Sequence, residues 1–443
     1  MVQFQPALAA VITDKILSLP ISALRPHARN ARTHSKAQLK QIARSIERFG
    51  FTNPVLINES CDILAGHGRV EAAKLLGWGQ VPTICLSHLS KAEQRAYIIA
   101  DNKLALNAGW DENLLRLELG ELAELEFDLN LTGFSIAEID QIIIGDAPDA
   151  EEDEDVPVAE GIPVTQSGDV WIMDKHRLIC ADARDHGACA LLMGGEQAHL
   201  LFTDPPYNVP IDGHVSGLGK QTHREFAFAS GEMSQETFTR FLVEAMQPSA
   251  EALKDGAIAF VCMDWRHMGE LLAAGNQLFD EFKNLIVWVK SNGGMGNFYR
   301  SRHELIFVFK KGKAAHTNSF GLGETGRYRT NVWEYAGMSS MGRSRDEALA
   351  MHPTVKPVAL IADALKDCTR RGEIVLDCFG GSGSTLIAAE MTGRKARLIE
   401  YDPLYCDTIV QRWQKRSGKT ALRASDGISW SDAQAASLEG ERA

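Results

Sequence analysis

With 443 residues the chain is too long for one hydrophobic core, so two or more domains are expected. Hydrophobic residues at 45% and charged residues at 23% are ordinary globular proportions and exclude a chain disordered throughout. The net charge of -12 excludes a uniformly basic nucleic-acid coat but averages over an asymmetry: residues 146–160 carry eight acids and no base, whereas residues 283–345 carry eleven Lys and Arg against three acids.

Neither a basic leader running into an apolar stretch nor a segment long enough to span a bilayer is visible, which leads us to expect a cytoplasmic protein with no membrane partner. The eight cysteines are scattered without a CxxC pair, so no zinc ribbon, disulfide framework or other metal site is expected.

In chain order, NPVLINESCDILAG predicts two short strands around a polar turn, followed by a helix over RVEAAKLLGW. Residues 91–144 read as three or four helical segments. GDAPDAEEDEDVPVAEGIP combines like charges with Pro and Gly, cannot bury apolar surface, and reads as a solvated linker over residues 146–163. Behind it, the apolar runs DVWIM, HLLFTD, AIAFVCM, NLIVWVK, ELIFVFK, EIVLDC and ARLIEY alternate with helical stretches. That alternation predicts a mostly parallel sheet covered on both faces. The expected boundaries are thus 1–145, 146–163 and 164–416, with a small, polar and poorly ordered tail over 417–443.

Chemistry concentrates at three places. In LLFTDPPYNV, residues 200–209, a strand stops at Asp204-Pro205-Pro206-Tyr207, because two prolines fix the backbone at the sheet edge where α/β folds bind ligands. The lone pair of an exocyclic amino group is delocalised into its ring. The Asp204 carboxylate and the Pro205 carbonyl are acceptors suited to drawing its protons out of plane, and Tyr207 offers a face for stacking a base. In EIVLDCFGGSGSTLIAAEMTG, residues 373–393, Asp377 ends a strand, Phe379, Gly381 and Gly383 form a loop, and Ser384 or Thr385 opens a helix. The loop lacks a P-loop lysine and the dinucleotide glycine spacing, so its glycines admit close approach of a ligand other than a pyrophosphate, which suits S-adenosylmethionine (SAM). Glu400 follows at the end of ARLIE, at the distance where an acid meets a ribose hydroxyl. In HPTVKP, residues 352–357, Thr354 and Lys356 are candidates for a carboxylate of the cofactor; alternatively Thr354 caps the next helix and Pro357 is its first residue.

Taken together, TDPPYNV, WVKSNGGMGNFYRSRHELIFVFKKG, HPTVKP and DCFGGSGST resemble the β-class DNA amino-methyltransferases over roughly residues 167–415. The resemblance implies an α/β fold: a Rossmann-like, seven-stranded SAM methyltransferase sheet, with target recognition inserted at residues 312–351. It also implies that Asp182 approaches the adenine of SAM with Phe379 nearby. LPISALRPHARNARTHSKAQLKQIARSIERFGFTNPVLINESCDILAGHGRVEAAKLLGWGQVPTI resembles the ParB and sulfiredoxin-like domain, which implies an N-terminal α+β module that reads sequence or oligomerises. Gly66-His67-Gly68-Arg69 stands at the family's nucleotide-associated box, with a histidine in place of a second arginine.

The expected activity is SAM-dependent methylation of adenine N6 in double-stranded DNA, since aspartate heads the tetrapeptide more often in adenine-type relatives. N4-cytosine methylation and a non-enzymatic ParB-like DNA-binding protein are the alternatives. A homodimer is compatible with either. DNA is expected to meet the basic stretch from Lys283 to Arg345, led by Arg300, Arg302, Lys310, Lys311, Arg327 and Arg329.

Overall fold

The computed structural model describes residues 16–125, 127–144, 162–209, 231–291, 298–320, 329–335 and 355–440. It divides into two compact units, Met1–Ser135 and Ile136–Ala443. Almost all of the acidic linker, most of the 312–351 segment, and Arg327 and Thr354 lie outside the described residues.

In the first unit, β1 (Leu17–Pro20), β2 (Arg25–Pro26), β3 (Val55–Ile57), β4 (Asp62–Ala65) and β5 (Gln80–Cys85) form a mixed sheet in the order β1-β5-β3-β4-β2. The polar turn between β3 and β4 closes on Asn58, whose side-chain oxygen accepts from the Ser60 and Asp62 N–H groups. Alternate strand residues Val55, Ile57 and Ile63 pack on Val70 and Ala73 of the helix His67–Leu75. The helix Lys36–Phe49 starts at a Ser35 cap and buries Ala43 and Ile46. The helical region that follows holds Lys91–Leu106, opened by a Ser90/Glu93 capping box, and Glu112–Glu124, capped by Asp111.

The second unit begins earlier than expected, with the helix Ile136–Ile144. Asp140 on this helix makes a buried bidentate pair with Arg394, Nη1–Oδ1 2.8 Å and Nη2–Oδ2 2.9 Å. Arg394 places its remaining donors on Thr369 and the Thr392 carbonyl. A helix assigned from sequence to the N-terminal domain is therefore locked to the C-terminal one, a contact no local pattern announces.

Among the described residues the second sheet has ten strands: β6 (Val170–Met173), β7 (His176–Cys180), β8 (Ala198–Thr203), β9 (Leu253–Met263), β10 (Glu281–Val289), β11 (His303–Lys310), β12 (Val332–Glu334), β13 (Ile374–Asp377), β14 (Lys395–Glu400) and β15 (Leu422–Arg423). Their order is β12-β10-β11-β9-β8-β13-β14-β7-β6-β15. The expected seven-stranded core is the run from β10 to β7, parallel except for β11. Three short strands extend its edges. β8 shows why it is buried on both faces: Leu200 and Phe202 point into one core, Leu201 and Ala198 into the other. The first core is covered by the helices Val358–Cys368, Ser384–Thr392 and Pro403–Ser417, the second by His186–Met193, Gln235–Glu251 and Met268–Leu278.

The segment after Arg416 departs from expectation, because it forms β15 and the helix Trp430–Gly440. Trp430 is buried in the first core and donates from its indole to Asp407 Oδ1 at 3.1 Å. Asp407 also accepts from the Val164 and Thr165 N–H groups. Trp430, the buried Ala421 and the pairing of β15 with β6 together anchor this polar stretch. Six cysteines are buried, and Cys61 and Cys85 are half-buried. No helix of the described residues is long and apolar enough to cross a membrane.

Candidate active site

From β8 the chain turns to β9 on one side, and from β13 to β14 on the other, so the order reverses between β8 and β13. In a sheet of this kind, the crevice at the carboxyl ends of those two strands is where ligands bind. Thr203, the last residue of β8, spans it by donating to Asp377 Oδ1 at 3.0 Å. Asp204 follows immediately, which places the tetrapeptide and the glycine loop on the same edge.

Asp377 directs its oxygens inward: Oδ1 also accepts from the Phe379 N–H at 3.1 Å, and Oδ2 accepts from the Thr385 hydroxyl at 2.7 Å. It therefore ties strand, loop and helix together. Gly381 and Gly383 have φ of +52° and +84°, a region costly for other residues. A Cβ on Gly383 would meet Ile409 at 3.1 Å, whereas one on Gly381 would meet only its own loop, at the Phe379 carbonyl 3.9 Å away. Glu400 crosses the loop from β14, accepting from the Gly381 N–H at 2.7 Å and from the Asp402 N–H at 2.8 Å. Burial pushes the carboxyls of Asp377 and Glu400 up to about 7 each, against the pull of these hydrogen bonds. Asp182 lies beyond β7 and is half-buried; the guanidinium of Arg184, held at 2.6 Å, keeps its carboxyl below the ordinary range.

The tetrapeptide holds a denser arrangement. Tyr207 donates its hydroxyl to Asp204 Oδ1 at 2.7 Å. Lys356 places its ammonium 2.6 Å from Asp204 Oδ2, 3.1 Å from Glu304 Oε2 and 3.1 Å from the Tyr207 oxygen. Lys356 is thus beside Asp204 rather than in the glycine loop. Glu304 is bridged on its other oxygen by Lys290. The Trp288 ring lies 4.7 Å from the Lys290 ammonium and 5.9 Å from that of Lys356. Burial raises the Asp204 carboxyl, with Lys356 opposing it. Burial acts on Glu304 in the same sense, but two ammonium groups outweigh it and hold that carboxyl at about 2. The Tyr207 phenol is raised by burial and by both carboxylates, so it stays protonated. Asn208, at φ +52°, accepts from the Gly231 and Met233 N–H groups and donates to the Met233 carbonyl.

Glu304 and Lys290 were not singled out from sequence. The one usable signal is that ELIFVFK opens with a charge at the head of an otherwise apolar strand. Antiparallel β11 brings that head to the crevice edge, opposite Trp288.

The same strand separates the basic candidates. Lys310 ends β11, roughly 20 Å from Glu304 at ordinary strand rise. It is buried within 4.0 Å of Glu281, and Lys311 donates to the Leu278 carbonyl. Arg329 is paired with Asp367 at 3.0 Å and with Asp363 at 3.5 Å, and stacks over Trp333. These three do not join one basic face at the crevice. Arg300 and Arg302 do lie on the crevice side and are exposed, next to Phe298 and Tyr299, which are 87% and 81% exposed. In the first unit, Arg69 spends its guanidinium on the carbonyls of Asn53 and Pro54, and His67 accepts from the His27 N–H.

Three family models match: a DNA methylase domain over residues 198–411, a ParB-methyltransferase HTH domain over 113–167, and a ParB N-terminal domain over 8–102. The helix-turn-helix match runs across both the boundary between the units and the acidic stretch. The chain is 51% identical over 81 residues to the Escherichia coli (strain K12) "ParB-like nuclease domain-containing protein YnaK", covering 18% of this chain and 93% of that protein. It is 27% identical over 217 residues to "Putative methylase YubD" of the same organism, covering 48% of this chain and 82% of that one. Among solved structures, a PvuII DNA methyltransferase (cytosine-N4-specific) aligns with a TM-score of 0.41 at 15% identity, over 61% of this chain and 92% of that one.

Proposed function

The chain belongs to the ParB-like domain family through its N-terminal part and carries a DNA methylase domain of the N6/N4 amino-methyltransferase family behind it, and from that premise we propose that it methylates adenine N6 in double-stranded DNA. The observation that carries this reading is the Asp204–Tyr207 turn at the switch point, beside a glycine loop flanked by two buried carboxylates.

SAM fits that loop. Asp377 and Glu400 are buried acids raised to about 7 with no cation beside them among the described residues, so a ligand bearing a sulfonium and an ammonium supplies the positive charge they lack. Glu400, Gly381 and Gly383 would hold it, with Asp182, Phe379 and Thr385 bounding the same edge. Bound there, SAM supplies an electrophilic methyl group. The chain's own task is to make the target nitrogen nucleophilic: Asp204 and the Pro205 carbonyl accept its two N–H bonds, Pro206 fixes the turn, and Tyr207 stacks the extruded base. Asp204 in place of serine favours adenine over cytosine.

Asp204→Ala is expected to lower methyl transfer on the order of a hundredfold or more while SAM still binds. Methylation of adenine-only and cytosine-only duplexes, alongside SAM calorimetry, checks both points. Near-normal turnover of the variant would remove Asp204 from this role, and transfer to cytosine alone would reverse the base assignment.

A further inference from the structure

We propose that Glu304 is a positioning residue: it is the carboxylate onto which the Lys356 ammonium moves when the target amino group takes the place of Lys356 on Asp204. The inference rests on the reading of Asp204 as the acceptor for that amino group.

Both Asp204 oxygens already receive strong donors, Tyr207 on Oδ1 and Lys356 on Oδ2. An incoming N–H bond therefore competes with them for Asp204, and most directly with the ammonium, the charged donor. Tyr207 is fixed by the rigid turn it belongs to, whereas Lys356 ends a flexible four-carbon stem. Stranding a buried ammonium would cost far more than the new hydrogen bond returns. Glu304 removes that obstacle, because its Oε2 is already 3.1 Å from Lys356 Nζ, so the ammonium can leave Asp204 for a carboxylate it already touches. The Tyr207 hydroxyl, 3.3 Å from the same Oε2, can remain on Asp204.

Lys290 holds Glu304 from the far side, and the Trp288 face lies against both ammonium groups. Two carboxylates and two ammonium groups balance, so the exchange moves no net charge into the site. It also gives the site a resting state in which Asp204 stays paired and a loaded state in which it is released toward the base.

The test measures single-turnover methylation, DNA KM and SAM affinity for Glu304→Gln, Glu304→Asp, Lys356→Met and the double variant Glu304→Gln/Lys356→Met. For Glu304→Gln, kcat should fall about tenfold to a hundredfold, the range of a lost charge-assisted hydrogen bond. DNA KM and SAM affinity should stay within about twofold. Glu304→Asp should recover part of kcat, and the double variant should be no slower than Lys356→Met alone, because the two residues act as one unit. Wild-type kcat in Glu304→Gln, a change confined to KM, or additive losses in the double variant would overturn the proposal. An unfolding curve shifted in Glu304→Gln and not recovered in Glu304→Asp would assign the residue to stability instead. If Asp204→Ala retains turnover, it is the underlying reading that fails, and that result is independent of the Glu304 series.

Discussion

At the scale of single residues, the protonation of Glu400 and Asp377 couples the glycine loop to pH. Burial holds both carboxyls near 7, above the ordinary value of about 4 in an unfolded chain. Between those limits the folded protein retains protons the unfolded chain has lost, so without ligand its stability falls as pH rises from about 4 to 7 and levels off above. A cationic ligand favours the ionised forms, and the sign for binding is the opposite: SAM affinity should rise with pH up to about 8, by at most tenfold per unit for each titrating group. Calorimetry from pH 6 to 8 in buffers of different ionisation enthalpy checks this, and Glu400→Gln should flatten the profile. Proton release that does not change with pH would detach these acids from the cofactor. Asp204, Tyr207, Asp377 and Glu400 were legible in the sequence because each sits in a contiguous motif whose turn or glycine loop sets its direction. Glu304 and Lys290 were not, since their meeting with Lys356 depends on strand register and on a connection of many residues. The charge of Lys310, Lys311 and Arg329 is visible in the sequence, whereas their ties to Glu281, the Leu278 carbonyl and Asp367 are not.

At the scale of elements, apolar alternation disclosed the strands that are buried on both faces, such as β8 and β9, and the helices that cover them. It passed over β7, β12 and β15, which are short or interrupted by charge; β12 and β15 are held by neighbours distant in sequence, and β7 by β14 as well as by the adjacent β6. The helix Ile136–Ile144 is the sharper case. Its apolar pattern identifies a helix but not its owner, which Asp140 decides through Arg394. Asp140→Ala leaves a fully buried guanidinium without its counter-charge and should cost about 3–5 kcal/mol of stability in the C-terminal unit. Denaturant unfolding followed by tryptophan fluorescence measures it. A loss under about 1 kcal/mol would mean that the helix docks by apolar contact alone.

At the scale of the whole molecule, a net charge of -12 must coexist with a polyanionic partner. The exposed Arg300 and Arg302, beside the exposed rings of Phe298 and Tyr299, place the local positive surface at the crevice edge. Charge reversal of Arg300 with Arg302 should reduce the slope of log affinity against log salt by about one unit for each phosphate that the protein no longer neutralises. Reversal of Lys310 with Lys311 should leave the slope unchanged, because both side chains are tied to protein acceptors at the opposite end of β11. A DNA-affinity salt series on the two variants distinguishes them, and the reverse outcome would move the DNA to that opposite edge. The strand order has a further consequence for biosynthesis. β8 lies in the middle of the sheet, yet of its two neighbours only β9 soon follows it from the ribosome, while β13 waits until everything before residue 374 has been made. Throughout that interval a strand that is apolar on both faces offers an unpaired edge, so the nascent chain passes through a prolonged aggregation-prone stage that ends only when β13 arrives to close the sheet.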